Sequence, residues 1–252
     1  MGWLRNWRRR RLLAHHRVDD VLWRAVTSAL PFLRGLPAAD LQRLRDLSLL
    51  LLVEKEISGA RGLALDDAMR LSIAVQACLP VLNLGLDRYD VWSEIVVHPG
   101  DFRVKVTETD DHGVVHEFDD ARAGESWQGG PVVLSWDATA NAPDMNVVIH
   151  EFAHKLDMAN GEADGMPPLH AGMDRKAWAE VFRVAYEGFC DAVDRDRDTW
   201  LDPYAAESPA EFFAVISEAF FESPNEMRRR YADVYGQLQQ YYRQDPAARL
   251  VT

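Results

Sequence analysis

HEFAHKLD, residues 150–157, is the stretch whose reading decides the rest of the chain. Two histidines stand four residues apart with a glutamate directly after the first. On a helix that spacing puts them about 6 Å apart along the axis and about 40° apart in azimuth, so both imidazoles can face one ion. Zinc suits such a pair, because neutral imidazole is a good ligand and a catalytic zinc takes three protein ligands and leaves a fourth position for water. Glu151 is turned about 100° from His150, where its carboxylate reaches the water rather than the metal, the position of a general base. The opposite face, with Met145, Val148, Ile149, Phe152 and Leu156, is apolar and is expected to anchor the helix in the core.

The motif alone is modestly specific: about one or two shuffled chains of this composition in a hundred would contain H-E-x-x-H. Its surroundings sharpen it. Proline is absent from 144–159, Pro143 stands near the start and Asn160-Gly161 at the end, which predicts a helix of about four turns. A strand pattern, PVVLSW, precedes it. His116-Glu117 is a decoy, continuing to Asp120 instead of a second histidine in a segment of strand character. The competing reading is two polar residues on a solvated helix face.

A zinc site needs a third ligand, and the downstream candidates are Asp157, Glu162, His170, Glu207, Glu211 and Glu218. Asp157 shares the helix with the histidines and is placed to orient a ligand imidazole rather than to bind. In DPYAAESPAEFFAVISEAFF (202–221), Glu211 starts a helix whose phenylalanines bury other faces, while Ala214 and Glu218 share its own face. Ser208-Pro209-Ala210-Glu211 also reads as a capping box, and spacing alone leaves ligation and capping both open. Glu218 is a second candidate for holding a ligand imidazole from behind. Tyr204 could offer its hydroxyl to a developing oxyanion, or be an ordinary core or surface tyrosine.

Away from this centre, residues 18–85 show apolar spacing of three and four in VDDVLWRAVTSALPFL, LQRLRDLSLLLLVEK and DDAMRLSIAVQACLPVL, expected as helices. From about 91 the period shortens in EIVVHP, FRVKVTE, GVVHEF and PVVLSW, expected as a small mixed sheet. Helices return in DRKAWAEVFRVAYEGFCDAV, SPAEFFAVISEAFFES and PNEMRRRYADVYGQLQQYY, with 159–173 the longest loop. This order predicts an α+β fold, mainly helical, with a basic tail (1–17), a helical part (18–90) and a catalytic part (91–252) forming one compact unit with it.

The 252 residues, 48 % of them hydrophobic, suffice for a sizeable core. With 28 basic against 40 acidic residues the formal charge is −12, which opposes non-specific nucleic-acid binding. Two cysteines, Cys78 and Cys190, lie in apolar helical patterns, which argues against a disulfide scaffold and for a reducing compartment. The start, MGWLRNWRRRRLL, lacks the apolar continuation of a signal peptide. LSLLLLV (47–53) is far short of the roughly 20 residues of a membrane span. The expectation is a soluble cytoplasmic protein whose basic, tryptophan-containing tail is solvated and partly disordered, with contact to an anionic surface or a partner as the alternative.

Several stretches together, HEFAHKLDMANG with the following DG-x-PPL loop, DPYAAESPAEFFAVISEAFF, ACLPVLNLGLDRYD, SWQGGPVVLSW and YYRQDPAARL, resemble the Mlc titration factor A family. The resemblance runs from about residue 30 to 250, and the basic tail lies outside it. It implies a cytoplasmic zinc metallopeptidase with a zincin-like catalytic core similar to the protease domain of anthrax lethal factor, holding one Zn²⁺ per chain and acting as an aminopeptidase on peptide substrates. It also implies a regulatory partner, an Mlc-like transcriptional repressor, and a link to control of the glucose phosphotransferase system. Carried over by position, it makes His150, His154 and Glu211 the metal ligands, Glu151 the catalytic glutamate and Tyr204 the oxyanion-side tyrosine. Two other classes compete: a repressor-binding protein whose zinc is structural or vestigial, and a metal-free helical adaptor.

Overall fold

The N-terminal helices form where apolar spacing and a capping aspartate coincide. After α1 (Gly2–His15), α2 (Asp20–Ser28) starts at Asp19, whose carboxylate accepts from the backbone N–H of Val21 and Leu22 at 2.9 Å. Helix α3 (Ala38–Glu54) follows, then α4 (Asp67–Cys78), capped by Asp66 accepting from Met69 N–H at 2.8 Å. Such caps satisfy donors that a helix cannot pair internally. The computed structural model describes residues 2–92, 94–109, 115–141 and 145–250, with backbone alone for residues 2, 103–122 and 250.

Strand β1 (Glu56–Gly59) runs parallel to β2 (Glu94–His98), and β2 parallel to β6 (Val132–Ser135). The far side of β6 pairs antiparallel with β5 (Gly124–Ser126), giving a four-stranded mixed sheet in the order β1-β2-β6-β5. The two longest strands, β3 (Phe102–Thr109) and β4 (Val115–Arg122), pair only with each other. The sequence places these two in the main sheet; they form a separate hairpin instead, and β1 and β5 complete the sheet. Strand β1 is EISG with one apolar residue and β5 is GES with none, so neither shows a strand pattern, whereas the equally short β6 is the apolar run VVLS.

Six helices follow: α5 (Trp136–Asn141), α6 (Val147–Asp157), α7 (Arg175–Asp194), α8 (Pro209–Glu222), α9 (Pro224–Arg230) and α10 (Ala232–Tyr242). The result is a mainly helical α+β fold. Helix α6, which carries HEFAHKLD, starts at Val147 and is three turns long, continued by a 3₁₀ turn over Met158–Asn160. It is shorter than its sequence suggests because Asn146 is the N-cap, its side chain accepting from Ile149 N–H at 2.9 Å; Pro143 lies outside the described residues. All eleven residues of α6 are buried, since α4, α8 and the strands β5 and β6 enclose it. Phe152 anchors its apolar side, edge-on to Tyr89 (centroids 5.1 Å) and Trp92 (5.4 Å). A second aromatic group, Trp178, Phe182, Phe213 and Tyr241, binds α7, α8 and α10 together.

The basic start of the chain is a docked helix rather than a solvated tail. Arg9 donates from Nε and Nη2 to the two carboxylate oxygens of Glu54, both at 2.7 Å, and pairs with Asp87 at 2.5 Å. Arg5 pairs with Asp87 at 2.6 Å and with Asp90. Leu12 and Leu13 pack against the core beneath. No helix among the described residues is long and apolar enough to cross a membrane, and both cysteines are free.

Candidate metal centre

Helices α6 and α8 cross so that three side chains spread over 61 residues of sequence meet at one point. His150 Nε2 lies 3.0 Å from Glu211 Oε2, His154 Nε2 lies 3.3 Å from the same oxygen, and the two imidazole nitrogens are 3.2 Å apart. Two ring nitrogens so close cannot both point protons at each other, so a single proton or one shared metal cation would lie between them. A tetrahedral ion bound at 2.0–2.1 Å separates its ligand atoms by about 3.3 Å. The triangle in this protein, 3.0 by 3.2 by 3.3 Å, has edges of that size. The donor set, two imidazoles and one carboxylate, therefore fits a metal of the zinc class, and these three residues could hold one.

The orientation of His150 is set from behind. Glu218, two turns beyond Glu211 on α8, accepts from His150 Nδ1 at 2.7 Å with Oε1, and from the backbone N–H of Asn146 at 2.6 Å with Oε2. One carboxylate thus ties the start of α6 to α8 and holds the proton on Nδ1, leaving the Nε2 lone pair for the centre. Asn146 continues the brace, donating from Nδ2 to Gln76 and Glu222 at 2.9 Å each. Burial works against the charged form of His150, yet its bonds to Glu211 and Glu218 outweigh burial and lift its pKa well above the ordinary value in the absence of metal. At Glu211 burial pushes the pKa up, and the two imidazoles more than reverse it.

Capping and convergence coexist at Glu211. Ser208 Oγ accepts from the Glu211 backbone N–H at 3.1 Å, as an N-cap should, while the Glu211 carboxylate goes to the imidazoles. The two roles use different atoms of one residue. Asp157 behaves differently from the sequence expectation: its Oδ2 accepts from Gly165 N–H at 2.8 Å, pinning the loop after α6, and among the described residues it bonds neither imidazole. His170 is also elsewhere, its Nε2 donating to the Tyr241 carbonyl at 2.8 Å.

Glu151 is buried beside the triangle, and its Oε2 has no hydrogen-bond partner among the described residues. Burial, partly offset by the neighbouring histidines, raises its pKa above the usual glutamate range. It faces a cleft of about 180 Å³ lined also by His150, His154, Tyr204, Glu211 and Trp127. Tyr204 sits in the 3₁₀ turn Pro203–Ala206 before α8, which Asp202 caps by accepting from Tyr204 N–H at 2.9 Å. Its ring centroid is 6.1 Å from that of His150. A second cavity of about 420 Å³, walled by Trp200, Leu201 and Val215, shares His150 and Tyr204 with the first.

Two features of the site escape the sequence reading. A Cβ built on Gly124 in β5 would stand 2.3 Å from Glu151 Oε1 and 2.7 Å from Val147 Cγ2, so only glycine lets β5 approach the carboxylate. A glycine inside a strand pattern is the available signal for such an approach. Lys155, on the buried helix itself, donates to the carbonyls of Trp127 (2.6 Å), Gly130 (2.9 Å) and Pro131 (3.3 Å), so it fixes the turn that carries Trp127 into the cleft. Burial lowers its pKa to about 8.

Residues 4–243 match the family described as glucose-regulated metallo-peptidase M90. The match starts inside α1, so the resemblance includes the basic helix that the sequence reading set apart. The chain is 39% identical over 228 residues to "Mlc titration factor A" of Serratia proteamaculans, covering 88% of this chain and 87% of that protein. It is 39% identical over 236 residues to the protein of the same name from Pectobacterium atrosepticum (90% and 88%). An uncharacterized protein of Synechocystis is 36% identical over 251 residues (97% and 90%).

Proposed function

The chain belongs to the glucose-regulated metallo-peptidase M90 family, and from that premise we propose that it is a zinc-dependent peptidase, acting as an aminopeptidase, with His150, His154 and Glu211 as the metal ligands. The observation that carries the reading is the triangle of 3.0, 3.2 and 3.3 Å between their ligand atoms. Held by these three residues, zinc would supply Lewis acidity for a peptide carbonyl and would make water a nucleophile near neutral pH. Glu151 takes the proton of the attacking water and returns it to the leaving amine. A buried carboxylate with a raised pKa and an unpaired oxygen suits both steps. The Tyr204 hydroxyl donates to the oxyanion that develops on the carbonyl oxygen. Glu218 keeps the His150 imidazole in register, and Trp127 borders the peptide's path.

The test is Glu151→Gln. Hydrolysis of a short peptide should fall about 10²–10⁴-fold while metal content and fold are unchanged. Undiminished turnover would end the mechanism.

The name shared by the Serratia and Pectobacterium proteins supports a second activity of the same chain, titration of an Mlc-like repressor, in the cytoplasm. If binding is separate from chemistry, Glu151→Gln should bind a purified repressor of that class as the wild type does in calorimetry; binding by neither protein would remove this activity.

A further inference from the structure

The first two turns of helix α1 are mounted the wrong way round for a water-soluble helix, whereas Leu12 and Leu13 farther along face the core. Its inward face carries Arg5 and Arg9, paired with Glu54, Asp87 and Asp90, while Trp3, Leu4 and Trp7 are 76, 59 and 49 % exposed. Trp3, Trp7 and Arg10 fall on one stripe of the outward side, Leu4, Arg8 and Arg11 on the next. The three arginines are exposed, and Arg11 lies over the Trp7 ring at 5.6 Å. The helix has no acidic residue, in a chain of net charge −12. The inward pairs also offset two of the three carboxylate charges beneath, and the outward surface, with its three arginines, is locally cationic.

Such a face offers hydrogen-bond donors and apolar rings and almost no acceptors. Its complement is a surface rich in acceptors with apolar material just below, which is the headgroup layer of an anionic bilayer. Indoles partition to that level with the ring buried and the N–H wet, and guanidinium groups pair with phosphate in two-point geometry. A protein partner would be expected to meet a complementary set of acceptors on the helix, and its side chains offer Asn6 and, at the far end, His15.

We propose that α1 is an interfacial helix that seats this protein reversibly on anionic lipid, with Trp3, Leu4 and Trp7 in the headgroup layer and Arg8, Arg10 and Arg11 on the phosphates. It lies on the membrane and does not cross it. Two indoles and three free arginines give a weak, salt-sensitive attachment.

Sedimentation of the full chain with phosphatidylglycerol-containing vesicles and with pure phosphatidylcholine vesicles tests this. The wild type should pellet with the anionic vesicles at about 0.05 M salt, be released at about 0.5 M, and stay in solution with the neutral ones. The Trp3→Ser/Trp7→Ser pair and the Arg8→Gln/Arg10→Gln/Arg11→Gln triple should each weaken binding about tenfold or more. Both sets change outward side chains, and circular dichroism with an unchanged melting temperature shows that the variants fold. Wild type left in the supernatant, or variants that pellet equally well, overturns the proposal. So does self-association abolished by the tryptophan pair in the absence of vesicle binding, or preferential binding of a single-stranded oligonucleotide, because α1 would then be a protein contact or a nucleic-acid contact.

Discussion

Helices α6 and α1 handle their charged residues in opposite surroundings and by the same rule. In α6 every residue is buried, including His150, Glu151, His154, Lys155 and Asp157; in α1 Arg5 and Arg9 turn inward while Trp3 and Trp7 turn outward. Hydropathy alone predicts neither. What decides both is the supply of partners. Apart from Glu151, each charged or imidazole side chain of α6 meets a fixed group from another element: Glu211 and Glu218 of α8, the carbonyls of the 127–131 turn, or Gly165 N–H. Arg5 and Arg9 meet three carboxylates. A buried polar group with a partner costs little, and one without costs several kcal/mol. Among the described residues, Glu151 Oε2 and Asp157 Oδ1 are the buried α6 side-chain atoms left without one, and Glu151 borders the cleft where the chemistry is proposed.

The comparison can be broken by removing partners, and the damage should scale with burial. Lys155→Met strands three carbonyls under the 127–131 turn; thermal unfolding should report a loss of about 2–3 kcal/mol, and a melting temperature equal to that of the wild type would show that the ammonium is dispensable. Glu218→Gln frees the back of His150 while keeping an oxygen for Asn146. Metal affinity should weaken about 10–100-fold in a competitive titration with a chromogenic chelator, with the melting point of the metal-free protein changed much less. An affinity equal to the wild type's would mean that the imidazole is held by packing alone. Arg9→Ala should cost less, about 1 kcal/mol, because its partners reach solvent. The loss should be confined to α1, visible as faster proteolysis between residues 2 and 19 with an unchanged main transition.

The same contrast explains what the sequence discloses. His150, Glu151 and His154 are legible because a spacing of four on a helix is a local fact. Their burial is not, since it depends on α8, some 60 residues away. Glu211 shows the limit of local reading: the capping pattern and the ligand pattern are both written there, and only the fold shows the backbone N–H serving Ser208 while the carboxylate serves the imidazoles. Asp157 and Glu218 looked equivalent as supports for the histidines, but the end of α6 turns Asp157 toward the 161–165 loop, whereas Glu218 crosses over His150. The docking of α1 escapes because Asp87 and Asp90 are about 80 residues away, and β1 and β5 escape because EISG and GES hold too few apolar residues for a pattern. Of the four apolar stretches from which the sheet is expected, two supply β2 and β6 to it, and the other two pair as β3 with β4 apart from it.

The central claim is that His150, His154 and Glu211 hold a single metal ion together. Zinc stoichiometry and affinity of the wild type and of Glu211→Gln, both stripped and reloaded, test it most directly. The account predicts one tightly bound equivalent in the wild type and, in the variant, the same circular dichroism with affinity lower by orders of magnitude. A variant that retains its equivalent as tightly as the wild type, or a wild type that takes up none, would contradict it.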